Sequence, residues 1–170
     1  MNSKKINSNE EASFWKLLEA GGIYHSLKGS TVQEVLDGFV DTIRPGKSVQ
    51  KGELLKAVLE REALMSTSIG NGIAIPHPRN PIVDSDGDQF AALAFLEQPV
   101  DWNALDGNKV DTIILLVSAS AKSHLKTLSA ISFFSRQEDF LNLLKKRVSR
   151  EDLIRYIKNT EQKWKQEKPI

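Results

Sequence analysis

The segment Ile75-Pro76-His77-Pro78-Arg79 places one histidine between two prolines. The first proline fixes its own φ and the second disfavours helical geometry for the residue before it, so we expect His77 on stiff, extended backbone. From residue 66 to residue 83 there is no Asp or Glu, and Arg79 is the one charged residue. A dianionic group on His77 would meet no like charge from this window. This pattern favours a phosphoryl-carrying histidine, although a histidine in a solvated turn fits the same residues.

The stretch just upstream, Ser66-Thr67-Ser68-Ile69-Gly70-Asn71-Gly72, is rich in hydroxyls and small residues. Such a loop can offer backbone N–H groups to an oxyanion. We therefore predict that Ser66, Thr67, Asn71 and Gly72, together with Arg79, contact the anion.

Length and composition limit the classes of protein to which this chain can belong. The 170 residues predict one domain, and 40% hydrophobic content is that of an ordinary globular protein. A net charge of +1 disfavours a nucleic-acid binder, and zero cysteines exclude disulfides and thiolate sites. The segment 1–11 is polar, so we do not expect it to be a signal peptide or an anchor, and no later apolar run is long enough to span a bilayer. We expect a cytoplasmic protein with no direct membrane insertion.

The hydrophobic pattern predicts helices and strands in alternation. Predicted helices are Ser13–Ala20, Thr31–Ile43 capped by Ser30, one capped by Ser48 that carries Arg61 in its last turn, one capped by Ser120 or Ser123 that runs to about Phe134, Glu138–Lys146, and Ser149–Lys163. Predicted strands are an edge strand from Ile23-Tyr24, Ile73–Ile75, Phe90–Leu96 and Thr112–Val117. The last two are continuous apolar runs, which are typical of strands covered on both faces.

These elements predict an α/β fold in the form of a three-layer sandwich, with a mixed central sheet and helices on both faces. We expect a flexible N-terminal segment over residues 1–12, a single domain over 13–163 and a C-terminal tail over 164–170.

Two separated blocks carry a family resemblance. Arg61-Glu62-Ala63-Leu64-Met65-Ser66-Thr67, followed by Gly70-Asn71-Gly72-Ile73-Ala74-Ile75-Pro76-His77, closely resembles the active-site signature of the type-2 enzyme IIA (EIIA) domains of the bacterial phosphotransferase system, the mannitol/fructose and nitrogen-regulatory class. Ser123-His124-Leu125-Lys126-Thr127-Leu128-Ser129 resembles the second histidine block of that family. The resemblance extends from about Tyr24 to Ile157.

The resemblance implies a chemistry and its residues. His77 would accept a phosphoryl group on Nε2 from the phosphohistidine of the carrier HPr or its nitrogen-pathway paralogue, without ATP, metal or cofactor. His124, in the first turn of a helix, and Arg61 would stabilise the phosphoryl oxygens. Taken alone, His124 also fits a surface histidine at a helix start, and Arg61 fits a solvated side chain or a partner of Glu60 or Glu62.

Two positions depart from the family pattern. Pro78 replaces the common glycine, which removes an N–H and any positive φ next to His77. Asn71 stands where sugar-specific members tend to have an acidic residue, and this favours the nitrogen-regulatory branch, which controls a regulatory target protein. The alternative is a fructose- or mannitol-specific EIIA that passes the phosphoryl group to an EIIB component.

Other function classes fit less well. A metalloenzyme would need more ligands than three histidines without metal-binding spacing provide, and the glycines before His77 lack a dinucleotide-binding pattern. We expect a partner to dock on an apolar rim near His77 formed by Ile69, Ile73, Ile82 and Trp102.

Overall fold

The computed structural model describes residues 13–167, so the predicted flexible segment 1–12 lies outside the described residues. Five strands form one sheet: β1 (Ile23–Leu27), β2 (Ser68–Gly70), β3 (Ile73–Ala74), β4 (Phe90–Val100) and β5 (Val110–Val117). Their order is β1-β4-β5-β3-β2. β1 runs parallel to β4 and β3 parallel to β5, whereas the pairs β4–β5 and β2–β3 are antiparallel. The predicted mixed sheet and the edge position of β1 are confirmed.

Within residues 13–167, six helices accompany the sheet: α1 (Phe14–Gly21), α2 (Val32–Thr42), α3 (Lys51–Leu64), α4 (Ala121–Phe134), α5 (Glu138–Lys145) and α6 (Arg150–Glu167). Successive side chains of the central strands point to opposite faces, as the pleat requires. On β4, Ala92 and Ala94 pack with α2 and α3, while Leu93 and Phe95 pack with α1, α4, α5 and α6. The sheet is therefore buried on both faces, and the predicted three-layer architecture is confirmed.

One glycine is required by the close approach of α1 to the sheet. A Cβ atom on Gly21 would lie 2.1 Å from the carbonyl oxygen of Ala91 in β4. The next residue, Gly22, has φ of 91° and donates its N–H to the carbonyl of Leu18, which ends the helix.

Two predicted helix caps are wrong. Thr31, not Ser30, caps α2 by accepting the N–H of Glu34, while the Glu34 carboxylate accepts both the N–H and the hydroxyl of Ser30. α3 begins at Lys51 rather than after Ser48, because the N–H of Val49 closes a turn onto Gly46. For α4 the structure selects Ser120, whose hydroxyl accepts the N–H of Ser123.

Several predicted boundaries also move. β4 continues to Val100 and β5 begins at Val110, so both strands are longer than their apolar runs. α6 continues to Glu167, past the predicted start of the tail at residue 164, because Trp164 packs its ring against Phe133 and Phe134. Of the predicted tail, residues 168–170 lie outside the described residues.

The first and last helices are joined by a buried carboxylate. Ser13, the N-cap residue of α1, makes no capping bond with its side chain. Instead, Glu161 of α6 accepts the backbone N–H groups of Phe14 and Trp15, at 2.9 and 3.2 Å. Burial raises the pKa of Glu161 against the opposing effect of these two hydrogen bonds.

Candidate active site

His77 lies on extended backbone, and the two residues before it are held by hydrogen bonds to β5 and to Thr67. The carbonyl of Pro76 accepts the N–H of Leu116 in β5, and the N–H of Ile75 donates to the carbonyl of Thr67. The side chain turns back so that Nδ1 lies 2.7 Å from the carbonyl oxygen of Ile75. Because a carbonyl can only accept, Nδ1 carries the hydrogen, and Nε2 keeps its lone pair.

His124 lies in the first turn of α4, as predicted, and faces His77. The two ring centroids are 4.7 Å apart and the ring planes differ by 47°. Nδ1 of His124 lies 3.4 Å from the hydroxyl oxygen of Ser118, which follows β5. If this hydroxyl donates to Nδ1, the hydrogen of His124 lies on Nε2, where it can donate to an anion.

The electrostatics favour two neutral rings. Burial lowers the pKa of His77, and the charge of Arg61 lowers it further, against the hydrogen bond to Ile75 and the charge of Glu62. Burial, together with the charges of His77 and Arg61, lowers the pKa of His124 to about 4. Neutral imidazole is the nucleophilic form, so the site has a nucleophile at neutral pH.

Arg61 lies in the last turn of α3, as predicted. Its Nη1 donates to the carbonyl of Met65 at 2.8 Å, which fixes the guanidinium at the end of the helix. The structure therefore brings together His77, His124 and Arg61, three residues from different parts of the chain.

The hydroxyl-rich stretch forms a hairpin rather than an open loop. β2 and β3 pair across a turn in which Gly70, Asn71 and Gly72 all have positive φ, between 55° and 88°. Asn-Gly is frequent in hairpin turns of this kind. This dipeptide predicts a hairpin more strongly than the surrounding hydroxyls and small residues predict an anion-binding loop.

The side chains of Ser66 and Thr67 and the carbonyl of Gly72 make hydrogen bonds within the protein. The Ser66 hydroxyl donates to the carbonyl of Trp102, and Thr67 donates its N–H and its hydroxyl to Glu62, at 2.8 and 2.6 Å. The carbonyl of Gly72 accepts two N–H groups from the start of β5. These hydrogen bonds hold in place the segment that leads to His77.

Asn71 contacts the C-terminal end of α4, at the opposite end of this helix from His124, whereas Arg79 lies near His124. The side-chain amide of Asn71 donates to the carbonyl of Ser135, and its backbone N–H donates to Asp106. Arg79 is exposed and lines a pocket of about 300 Å³, together with the buried Pro78 and with His124. An arginine at this mouth can attract an anionic group.

The role of Glu62 was not predicted from the sequence, and Trp102 was predicted as a rim residue rather than as a hydrogen-bond donor to Glu62. Glu62 accepts hydrogen bonds from Thr67 and from the indole Nε1 of Trp102, the latter at 2.9 Å. Glu62 follows Arg61 directly in the signature, which is the one signal that could have identified it. Nothing in the sequence links it to Trp102, forty residues away.

The predicted apolar rim is mostly wrong. Ile73 and Trp102 are buried, because Ile73 packs into the core on one face of the sheet and Trp102 into the core on the other, and Ile82 is half-buried. Of the four predicted residues, Ile69 alone is an exposed hydrophobic residue. The exposed large apolar side chains of the described residues are instead Leu64, Met65, Ile69, Leu105, Leu125 and Phe133.

Residues 13–167 contain no group of three or more His, Cys, Asp or Glu side chains that could hold a metal ion. In the same range, no helix combines the length and the apolar composition needed to cross a bilayer.

Known families and relatives match this chain along most of its length. The family described as "Phosphoenolpyruvate-dependent sugar phosphotransferase system, EIIA 2" matches residues 16–160. A nitrogen regulatory protein of Pseudomonas aeruginosa is 29% identical over 145 residues, covering 84% of this chain and 92% of that protein. A fructose-specific EIIA component of Haloferax volcanii is 33% identical over 114 residues, covering 66% of this chain and 70% of that protein.

Coverage differs between relatives. A nitrogen regulatory protein of Bradyrhizobium diazoefficiens is 34% identical over 94 residues, which are 54% of this chain and 60% of that protein. The matched part therefore spans less than two thirds of that relative.

Solved structures share the fold. The crystal structure of nitrogen regulatory protein IIA-Ntr from Neisseria meningitidis superposes with a TM-score of 0.70 at 25% identity, covering 79% of this chain and 92% of that one. The mannitol enzyme IIA of Escherichia coli, solved in complex with phosphorylated enzyme IIB, has a TM-score of 0.63 at 17% identity, covering 81% of this chain and 94% of that one. At that identity the second similarity shows the fold alone.

Proposed function

Because the chain belongs to the type-2 EIIA family of the phosphotransferase system, we propose that it is a phosphocarrier that accepts a phosphoryl group on His77 from the phosphohistidine of an HPr-type donor. The observation that carries this proposal is the 2.7 Å bond from His77 Nδ1 to the carbonyl of Ile75. It leaves Nε2 as the nucleophilic atom, beside a second neutral histidine and an arginine.

The transfer uses the lone pair on His77 Nε2. As the new Nε2–P bond forms, the N–P bond of the donor breaks and the donor imidazole leaves with the electron pair. His77 keeps the hydrogen on Nδ1, so its ring becomes cationic, and the carbonyl of Ile75 stabilises this charge. The protein mainly positions the groups and balances charge, as expected for a loose phosphoryl-transfer transition state.

Two groups stabilise the transferred oxygens. The ring N–H of His124 donates to one phosphoryl oxygen, and the guanidinium of Arg61 offsets the negative charge. The charge of Arg61 lowers the pKa of both His77 and His124, so the guanidinium acts electrostatically on both rings.

We propose that the phosphoryl state controls a regulatory partner. Relatives described as nitrogen regulatory proteins match the chain, one of them across 92% of its own length. Two exposed apolar side chains lie near the site. Met65 accepts a hydrogen bond from Arg61 with its carbonyl, and Leu125 follows His124 in the chain and lines the same pocket. A partner that covers them would be repelled by the roughly −1.5 to −2 charges that a phosphoryl group adds.

The first experiment tests the phosphocarrier. The protein is incubated with phosphorylated HPr or its nitrogen-type paralogue, and we expect one acid-labile, hydroxylamine-sensitive phosphoryl group. Normal labelling of the His77→Ala variant would refute the assignment.

A second candidate function is sugar transport, because the Haloferax relative is described as a fructose-specific EIIA. In that case the phosphoryl group passes to an EIIB component, and sugar is phosphorylated when HPr and cell membranes are supplied. The regulatory proposal predicts no sugar phosphorylation in this assay. It also predicts that His77→Asp or His77→Glu weakens binding to the regulatory target at least tenfold. His77-dependent phosphorylation of fructose or mannitol would favour the second candidate.

A further inference from the structure

The carboxylate of Glu62 is connected to the candidate site by two series of contacts, which are called the first and the second route. Glu62 accepts the N–H and the hydroxyl of Thr67 with its two oxygens, and the indole N–H of Trp102 with one of them. Thr67 is buried and Trp102 is almost fully buried, so both partners are held in place by packing. Charge-assisted bonds of this kind are stronger than bonds between neutral groups.

The first route leads to His77. The carbonyl of Thr67 accepts the N–H of Ile75 at 3.0 Å. The carbonyl of Ile75 in turn accepts Nδ1–H of His77 at 2.7 Å. The position of Thr67 therefore sets the position of the carbonyl that selects the tautomer of His77.

The second route leads to Arg61. Two residues before Thr67, the carbonyl of Met65 accepts Nη1 of Arg61 at 2.8 Å. Between them, the Ser66 hydroxyl donates to the carbonyl of Trp102, whose indole returns to Glu62. Ser66 and Thr67, which are joined by the chain, are thus both linked back to the Glu62 carboxylate, Thr67 directly and Ser66 through Trp102. Met65, which holds Arg61, is the residue just before them.

From these contacts we propose that Glu62 is a positioning residue for phosphoryl transfer, which holds both the Nδ1–H tautomer of His77 and the guanidinium of Arg61. The kinetic consequence of this inference rests on the proposed function, whereas the effect of Glu62 on the His77 tautomer does not depend on that function. Glu62 makes no hydrogen bond to His77 or to the transferred group. It acts on the His77 tautomer through Thr67, separately from the effect of its charge on the pKa of His77.

The test uses Glu62→Gln in the full chain, with Glu60→Gln as the matched control. Glu60 is an exposed carboxylate on the same helix, paired with Lys56 at 3.9 Å. Long-range ¹⁵N–¹H spectra report which ring nitrogen of His77 carries the hydrogen. We expect the Nδ1–H form to dominate in wild type and Glu60→Gln, and a mixture of tautomers in Glu62→Gln.

Kinetics separate positioning from donor binding. With phosphorylated HPr as donor, we expect Glu62→Gln to lower the maximal single-turnover rate at least tenfold, while the half-saturating donor concentration changes less than twofold. A folded Glu62→Gln protein with a wild-type tautomer ratio and rate would overturn the proposal. If wild type is not phosphorylated at all, the proposed function fails, and the tautomer ratio still decides the role of Glu62.

Two milder variants cover the case in which Glu62→Gln does not fold. Thr67→Val removes one of the two bonds from Thr67, and Trp102→Phe removes the indole N–H while keeping an aromatic ring. We expect Thr67→Val to shift the His77 tautomer ratio in the same direction by a smaller amount. Wild-type ratios in both variants would overturn the proposal.

Discussion

The side-chain amide of Asn71 donates to the carbonyl oxygen of Ser135 at 3.3 Å. Asn71 lies in the β2–β3 turn that precedes His77, and Ser135 is the C-cap residue of α4, whose first turn carries His124. The turn before one histidine is therefore tied to the helix of the other. An acidic side chain at position 71 could not make this bond.

Asn71→Asp should destabilise the protein. The carboxylate cannot donate to the carbonyl of Ser135, so we expect a loss of about 0.5–1.5 kcal/mol in the free energy of unfolding, measured with urea. Asn103→Asp is the control, because Asn103 is also exposed and has a positive φ of 53°. Equal losses in the two variants would mean that the amide of Asn71 contributes nothing specific.

The two active-site histidines should titrate at low pH. In an NMR titration we expect the midpoint of His77 below its ordinary value of 6.5 and that of His124 at about 4. Since both folded-state pKa values are lowered, the stability that the neutral rings contribute is present above pH 6.5 and is lost as the pH falls through the folded-state values. A His77 midpoint at or above 6.5 would contradict the burial that the structure shows.

Arg61→Ala and His124→Ala should slow transfer without preventing modification of His77. Removal of one preorganised donor typically costs on the order of 10²–10³ in rate. Arg61→Ala should also raise the pKa of both histidines, because the guanidinium charge lowers them. Arg61→Lys should restore transfer in part, since an ammonium cannot reproduce a bidentate contact. Wild-type rates in both alanine variants would show that the two residues are structural.

Glu161→Ala should leave two buried N–H groups of α1 without their acceptor. We expect a cost of about 1–3 kcal/mol in the free energy of unfolding. Glu161→Gln should cost less, because burial already disfavours the charged form of Glu161. Gln162→Ala, at the next and exposed position of α6, is the control, and a loss as large as that of Glu161→Ala would contradict the role of the carboxylate.

The layers of the fold could be predicted because local patterns encode them: the apolar runs of β4 and β5 identify buried strands. The resemblance carried by two short blocks predicted His77, His124 and Arg61 as site residues, and the structure brings the two histidine rings together. Each of these signals lies within a short window of sequence.

The rest depends on contacts between distant residues. The bonds from Glu62 to Trp102 and from Asn71 to Ser135 join positions 40 and 64 residues apart, and one sequence carries no sign of such pairs. The prediction of the apolar rim was mostly wrong for the same reason, because hydrophobicity alone cannot distinguish the buried Trp102 from the exposed Leu105. The β2 strand was missed because its hydroxyls and glycines are also typical of loops.

The capping of α1 by Glu161 has a consequence for the order in which the chain folds. Phe14 and Trp15 are among the first described residues to be synthesised, yet their N–H groups bond a side chain 146 and 147 residues later. Contacts of such long sequence separation form late, because closing the intervening chain costs entropy. On the ribosome, these two N–H groups of α1 therefore receive their acceptor only after α6 has been synthesised, whereas the packing of α1 on β4 does not depend on α6.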